Sequence, residues 1–263
     1  MNYEDIIYEK NKGKALITIN RPKVLNAFRA KTLYEMIDAI IDAWKDNKIG
    51  VLVLTGAGEK AFCTGGDQKA KKNKSSNDDK YLGVGQYVAQ LHYLLRNIPK
   101  PVIAAVKGYA IGGGNVLHVV CDITIAAENA IFGQVGPKVG SVDAGFGTAY
   151  LSRIVGEKKA REIWYLCRKY SAKEALDMGL VNTIVPTDKL MDEVDKWCGE
   201  ILEKSPTAIK IAKYSFNADT DNIFGISRMG LSSLELFHTT EEAHEGINAF
   251  LEKRPPEFNK YRK

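Results

Sequence analysis

No run of eighteen apolar residues occurs in this chain, so nothing in it reads as a transmembrane helix. The four cysteines, Cys63, Cys121, Cys167 and Cys198, lie far apart without a Cys-x-x-Cys pair. That spacing excludes zinc ribbons and dithiol exchange motifs, and it reads as free, mostly buried thiols in a reducing cytosol. No internal repeat, no GxGxxG and no Gly-Lys-Ser/Thr motif is present, which removes solenoids, dinucleotide folds and P-loop enzymes. With 4 histidines and no His/Cys/carboxylate cluster at ligand spacing, no metal is expected. Met1–Asp5 is polar and acidic, with neither an apolar h-region nor an Arg-rich amphipathic segment, so the expected location is cytoplasmic. Basic residues outnumber acidic ones only 37 to 32, and the lysines are scattered among acids. A nucleic-acid partner is therefore not expected; an anionic small molecule fits this charge better.

What is present suits one large soluble α/β domain: 263 residues, 45% hydrophobic and 26% charged. Ala15–Asn20 alternates like a strand, and residues 50–55 and 101–106 are short apolar runs suited to a buried sheet. Between them, residues 31–46 carry apolar side chains at helical spacing from Leu33 to Trp44. Residues 123–126 and 130–132 predict further strands, with residues 107–111 as a turn. From Gly145 the pattern turns helical: 149–155, 158–168, 172–178, 189–203 and a last stretch from Ile223 to Glu252, with 182–186 one more extended piece. Strand–helix units followed by helices imply an α/β core with a helical C-terminal region.

Three stretches carry the chemistry. Cys63-Thr64-Gly65-Gly66-Asp67-Gln68 and Ile111-Gly112-Gly113-Gly114-Asn115 can each bare backbone N–H groups toward a ligand, the second at the start of a helix. The segment from Gly133 to Asp143 adds Ser141 and Asp143. Donors for an oxyanion with a hydroxyl and a carboxyl beside them make up an acyl-transfer or enolate site. A helix N-cap is the other role open to Asp143. Residues 68–84 hold almost nothing apolar and read either as a solvated charge run or as a mobile lid after the glycines.

The blocks Asn26-Ala27-Phe28, residues 61–67, 99–104, 108–114, 121–126 and 173–182 together resemble the crotonase (enoyl-CoA hydratase/isomerase) superfamily, essentially end to end. The resemblance implies a crotonase-like ββα spiral core, residues 1–200, holding the acyl-CoA site. Residues 201–263 would be a helical trimerisation or lid region. It implies an acyl-CoA substrate whose thioester oxygen sits between the N–H groups of Gly66 and Gly113. Val24, Leu25, Thr64, Gly65, Asp67, Lys69, Phe250 and Lys253 would bind substrate and coenzyme A, with no permanently bound cofactor. It also implies a homotrimer or a hexamer made of two trimers, the C-terminal helices packing on a neighbour.

The departures narrow the chemistry. The two positions where hydratases carry catalytic glutamates are Val116 and Gly136, so no carboxylate pair can activate water for hydration. Ser141 and Asp143 replace them. The 133–143 and 158–164 blocks look like two branches. One is 2-ketocyclohexanecarboxyl-CoA hydrolase, which opens an alicyclic β-oxoacyl-CoA by hydrolytic C–C cleavage. The other is 1,4-dihydroxy-2-naphthoyl-CoA synthase, which closes a ring by intramolecular Claisen condensation. Lys71 and His238 stand where the synthase has Arg and Tyr, favouring the hydrolase. His238 is thereby a candidate base, a structural histidine being the alternative. Gln134, Gly136 and Trp164 match positions that hold bicarbonate in one class of the synthase, so an anion or water site is expected there.

Overall fold

The computed structural model describes residues 2–68 and 83–262. Two strands, β1 (Ile6–Asn11) at the sheet edge and β2 (Lys14–Ile19) beside it, form an antiparallel hairpin, followed by α1 (Ala30–Lys45). The chain then winds through three similar turns. Each lays one strand in a larger sheet, one in a smaller sheet, and then continues outward into helical structure. The first comprises β3 (Val51–Gly56), β4 (Ala61–Cys63) and α2 (Val84–Asn97). The second comprises β5 (Val102–Val106), β6 (Tyr109–Ile111) and α3 (Gly113–Val120). The third comprises β7 (Ile123–Ala127) and β8 (Ile131–Gly133), then α4 (Leu151–Val155) and α5 (Glu157–Leu166). A short strand β9 (Lys169–Ser171), α6 (Ala172–Asp177) and β10 (Thr183–Val185) complete the spiral.

The larger sheet runs β1-β2-β3-β5-β7-β10 and is parallel from β2 onward; the smaller runs β4-β6-β8-β9. β3 and β5 are buried along their whole length, which explains their unbroken apolar sequence. The face of β3, β5 and β7 bearing Val53, Ile103 and Ile125 is covered by α7 (Leu190–Leu202) through Leu190, Val194 and Cys198. The opposite face meets α1 and α2 through Leu33, Met36, Ile40, Leu91 and Leu95. The four cysteines are free thiols, with Cys167 half-buried and the others buried. Among the described residues no helix is long and apolar enough to cross a membrane.

Two expectations need correction. Residues 107–111 are not one turn: only Lys107 and Gly108 turn, and Tyr109–Ile111 is β6, paired with both β4 and β8. The stretch from Ile223 to Glu252 is two helices, α9 (Asn222–Phe237) and α10 (Glu241–Glu252), broken where Thr240 caps α10 by accepting the Ala243 N–H. The 68–84 segment lies outside the described residues except for Gln68, Gly83 and Val84.

The helix α8 (Pro206–Ala218) is anchored by a buried lysine paired with a partly exposed aspartate rather than by an apolar stripe. Lys213, 6% exposed, donates to the carbonyls of Leu95 (3.0 Å) and Lys100 (2.9 Å) and to Asp122 Oδ2 (2.7 Å). The same Asp122 oxygen accepts the Val102 N–H at 2.7 Å. Lys213→Met removes the charge that Asp122 answers while keeping the bulk. The expected loss is about 1–2 kcal/mol, from the lost hydrogen bonds to Leu95 and Lys100 more than from Asp122, which stays partly exposed, checked as a lowered midpoint in urea unfolding. An unchanged midpoint would mean that the pair contributes nothing net.

Candidate active site

Two backbone segments meet at van der Waals distance to form the site. Gly112 turns the chain out of β6 at φ +59°, and α3 begins at Gly113. The first intrahelical bond ahead of it is Val116 N–H to Gly112 C=O, so the Gly113 N–H belongs to the unpaired first turn. Facing it is the Gly65–Gly66 segment. Phe28 donates its N–H to Gly65 O (2.8 Å), and Asp67 donates to Phe28 O (2.9 Å), which makes Phe28 the strand partner of Gly66. In such a bridge the N–H of Gly66 points away from Phe28. Gly65 sits at φ +83°, and a β-carbon there would stand 2.9 Å from the Gly113 nitrogen. The two N–H donors that the sequence nominates for an oxyanion are thus brought together.

The surrounding loop is fixed by side chains. Leu25 and Asn26 both lie in the left-handed region, at φ 54° and 56°. Asn26, fully buried, accepts the Arg21 N–H (3.0 Å) and donates to Ala57 O (2.9 Å) and Ala61 O (2.7 Å). Thr64 Oγ1 donates to Leu25 O at 3.1 Å, tying the Val24–Leu25 turn to the glycine segment. Asp67 pairs with Arg21 at 3.0 Å, so its carboxylate holds this loop. Arg21, Asn26 and Phe28 were not nominated individually as site residues; the signal available was the Asn26-Ala27-Phe28 block itself. Lys69 and Lys71 lie outside the described residues.

Val116, one helical turn beyond Gly113, faces the second half of the site. A β-carbon on Gly147 would stand 3.2 Å from Val116 Cγ2, 3.0 Å from Asp143 Cβ and 3.0 Å from Trp164 Cζ2. The structure therefore brings Asp143 beside the position where hydratases carry their first glutamate. Burial pushes the Asp143 carboxyl up to about 7, opposed by the N–H of Gly147, which donates to it. That bond is the capping interaction expected as the alternative role, although Gly145 rather than Asp143 is the N-cap of the turn Phe146–Tyr150. Capping and acid–base chemistry are compatible on one carboxyl with two oxygens.

Ser141 is half-buried on the same loop, its N–H bonded to Gly136 O at 2.8 Å. Gln134 is 1% exposed and its Nε2 has no hydrogen-bond partner among the described residues. Trp164 donates its indole N–H to Gly147 O. The C-terminal helices lie directly on this loop. Gly145 meets Ser227 and Gly230 meets Ala144, while Gly140 meets Ala243 and Gly246. His238 caps the end of α9, eight residues past Gly230, about 12 Å of helix rise. The described contacts do not bring it to Ser141 or Asp143. Phe250 and Lys253 are exposed at the C-terminal end of α10. His118 and His92 are buried, and burial lowers them to about 3 and about 4, so both are neutral.

Two preorganised N–H donors at a helix start, with one desolvated carboxyl across from them, define an enzyme that stabilises an oxyanion and moves a proton. The enoyl-CoA hydratase/isomerase family profile matches residues 9–261. Similar solved structures include an enoyl-CoA hydratase from Mycobacterium avium subsp. paratuberculosis, 26% identical over 98% of this chain and 100% of its own, with a TM-score of 0.87. A Geobacillus kaustophilus enoyl-CoA hydratase subunit is 31% identical over 98% of both chains, with a TM-score of 0.75. An enoyl-CoA hydratase/isomerase from Pseudoalteromonas atlantica is 25% identical over 97% of this chain, with a TM-score of 0.87. The chain belongs to the enoyl-CoA hydratase/isomerase family, the crotonase superfamily of acyl-CoA enzymes.

The raised Asp143 pKa has a consequence for stability. Between the unfolded value near 4 and the folded value, the native state holds a proton that the unfolded chain has released. Stability from this group is present at low pH and is lost as pH rises through about 7. Asp143→Asn keeps an acceptor for Gly147 and removes the titration. Its stability relative to wild type should therefore improve between pH 5 and pH 8, by up to about 2.5 kcal/mol. Parallel denaturation at the two pH values checks this; equal pH slopes would show that the carboxyl is not desolvated.

Proposed function

We propose that this enzyme hydrolytically cleaves a C–C bond in an alicyclic β-oxoacyl-CoA, passing through a thioester enolate. The observation that carries this reading is Asp143. It is a single half-buried carboxyl beside Val116, with valine and glycine at the two positions where hydration needs glutamates. A group titrating near 7 is half ionised at neutral pH and can both take and return a proton.

Asp143 carboxylate removes a proton from water as the water oxygen attacks the ring ketone. The resulting tetrahedral alkoxide collapses to a carboxylic acid, breaking the bond to the α-carbon. The electron pair moves onto the thioester, whose oxyanion lies between the Gly66 and Gly113 N–H groups. Each such donor contributes roughly 3 kcal/mol to an oxyanion. Protonated Asp143 then returns its proton to the α-carbon, giving an open-chain dicarboxylic acid mono-CoA thioester. Ser141 supplies a hydroxyl for the ketone or its alkoxide. Val24, Leu25, Thr64 and Gly65 line the approach from coenzyme A, with Lys69, Phe250 and Lys253 at its phosphates and adenine. We assign the working form to a trimer or a pair of trimers, as the resemblance implies.

Bicarbonate fits this chain poorly. Gln134 offers an unpartnered buried amide, but Trp164 has committed its N–H to Gly147. The space at Gly136 is taken as well: a β-carbon there would meet Ser141 O at 2.5 Å and Trp164 Cζ3 at 2.8 Å. No step here uses the ion.

The test is a parallel mass-spectrometric assay with 2-oxocyclohexanecarboxyl-CoA and o-succinylbenzoyl-CoA. The first substrate should gain one water. Asp143→Asn should lose at least about 10³-fold in kcat, on the scale of removing an essential acid–base group. His238→Ala decides between the two roles expected of that residue: a large loss of turnover makes it a base in the reaction, and turnover near wild type makes it structural. Loss of water from the second substrate would instead identify a dihydroxynaphthoyl-CoA synthase and overturn this reading. Hydration of crotonyl-CoA would overturn it in favour of the hydratases.

A further inference from the structure

Trp164 is not arranged as a donor to a ligand. Its indole N–H is bonded to the Gly147 carbonyl, and its six-membered ring is wedged between two glycines. A β-carbon at Gly136 would stand 2.8 Å from Cζ3, and one at Gly147 would stand 3.0 Å from Cζ2. The ring therefore fits only because neither glycine carries a side chain. Gly147 in turn lies against Asp143, where a β-carbon on it would stand 3.0 Å from Asp143 Cβ, and its N–H favours the charged carboxyl. One residue thus takes a hydrogen bond from the indole on its C=O and turns its N–H side toward the carboxyl.

We propose that Trp164 is the positioning residue for Asp143, acting through Gly147, and that Gly136 and Gly147 are small so that the indole can reach this position. The proposal rests on Asp143 being the acid–base group argued above. Around this stretch, α3 contributes Val116, α9 contributes Ser227 and Gly230, and α10 contributes Ala243 and Gly246, none of them titratable. From α2, His92 and Arg96 pack on the ring of Phe146. Among the described residues no charged side chain tunes the carboxyl, so its proton affinity is set by desolvation and by the one N–H that Trp164 holds in place. Removing the indole N–H leaves the Gly147 carbonyl buried without a donor. Gly147 then shifts toward another donor and its N–H leaves Asp143.

The test needs no substrate, so it stands or fails separately from the assigned reaction. Asp143 is followed by 13C NMR of protein labelled at aspartate carboxyl carbons, its signal assigned by its loss in Asp143→Asn. Wild type should titrate near 7. Trp164→Phe keeps an aromatic ring and removes the N–H; its Asp143 midpoint should rise by about half a unit or more, because the donor that favours the charged form is lost. An unchanged or lowered midpoint in a folded Trp164→Phe protein overturns the proposal. Should that variant fail to fold, the wild-type protein itself decides. The chain has 3 tryptophans, and the indole 15N–1H signal of Trp164 should move with the Asp143 midpoint. An indole signal that is flat across that range overturns the proposal. With an active substrate in hand, Trp164→Phe should lower kcat about tenfold with KM nearly unchanged, as a misplaced acid–base group does.

Discussion

The close approach of Gly65 to Gly113 is the constraint on which the site depends. Two N–H groups can converge on one oxygen only if their backbones come within a few ångströms, and here a single β-carbon on Gly65 would stand 2.9 Å from the Gly113 nitrogen. The spiral explains how the approach is made. β4 and β6 are adjacent parallel strands of the smaller sheet. Their C-terminal ends lead directly into the Gly65–Gly66 segment and into α3. Sheet pairing thus sets the distance, and the bridge from Phe28 to Gly66 sets the orientation of one donor. The helix start sets the other. Neither donor has to be ordered by the substrate, which is what makes such a pair effective.

The second half of the site is built by compression rather than by strand pairing. The loop from Gly136 to Gly147 runs between Trp164 on one side and α9 and α10 on the other, each contact made at a glycine or alanine. Small residues let the backbones pack at this density, and the packing shields Asp143 from part of the solvent. The same event that positions the carboxyl therefore raises its proton affinity. A carboxyl left at the usual value near 4 would be a weaker base toward water at neutral pH. Desolvation costs stability, and the cost is carried by the closely packed C-terminal helices.

Much of this was legible in the sequence, for identifiable reasons. β3 and β5 are buried on both faces, so they announce themselves as apolar runs, and α1 has a clear apolar stripe. The smaller sheet was harder to read because β4, β6 and β8 are three residues each, shorter than any periodicity. α8 went unread because the residues it buries are Lys213 and Asn217, which carry no hydrophobic signal. β1 buries only Ile6 fully and looks polar along its length. The glycine clusters and Asp143 were visible as residue types, and their convergence is a tertiary fact. Gly147 had no distinguishing mark, since nothing local shows that an indole seventeen residues away must lie against it.

The position of the carboxyl is the ground on which a chemistry other than hydration is proposed for this chain. Hydration of a double bond needs one group to deprotonate water and another to protonate carbon, on a substrate where both events occur at adjacent atoms. Two glutamates on opposite elements meet that need. Here Val116 and Gly136 hold neither, and the space they vacate is filled by packed side chain and backbone. The proposed reaction needs only one such group, because the proton taken in one step is returned in the next. Addition of water to a ketone followed by expulsion of an enolate has that form. In it the proton removed from water would stay on Asp143 while the C–C bond breaks, and would be delivered to the carbon that bond breaking has just made basic. The enolate is then the one anion that the Gly66 and Gly113 N–H groups would hold.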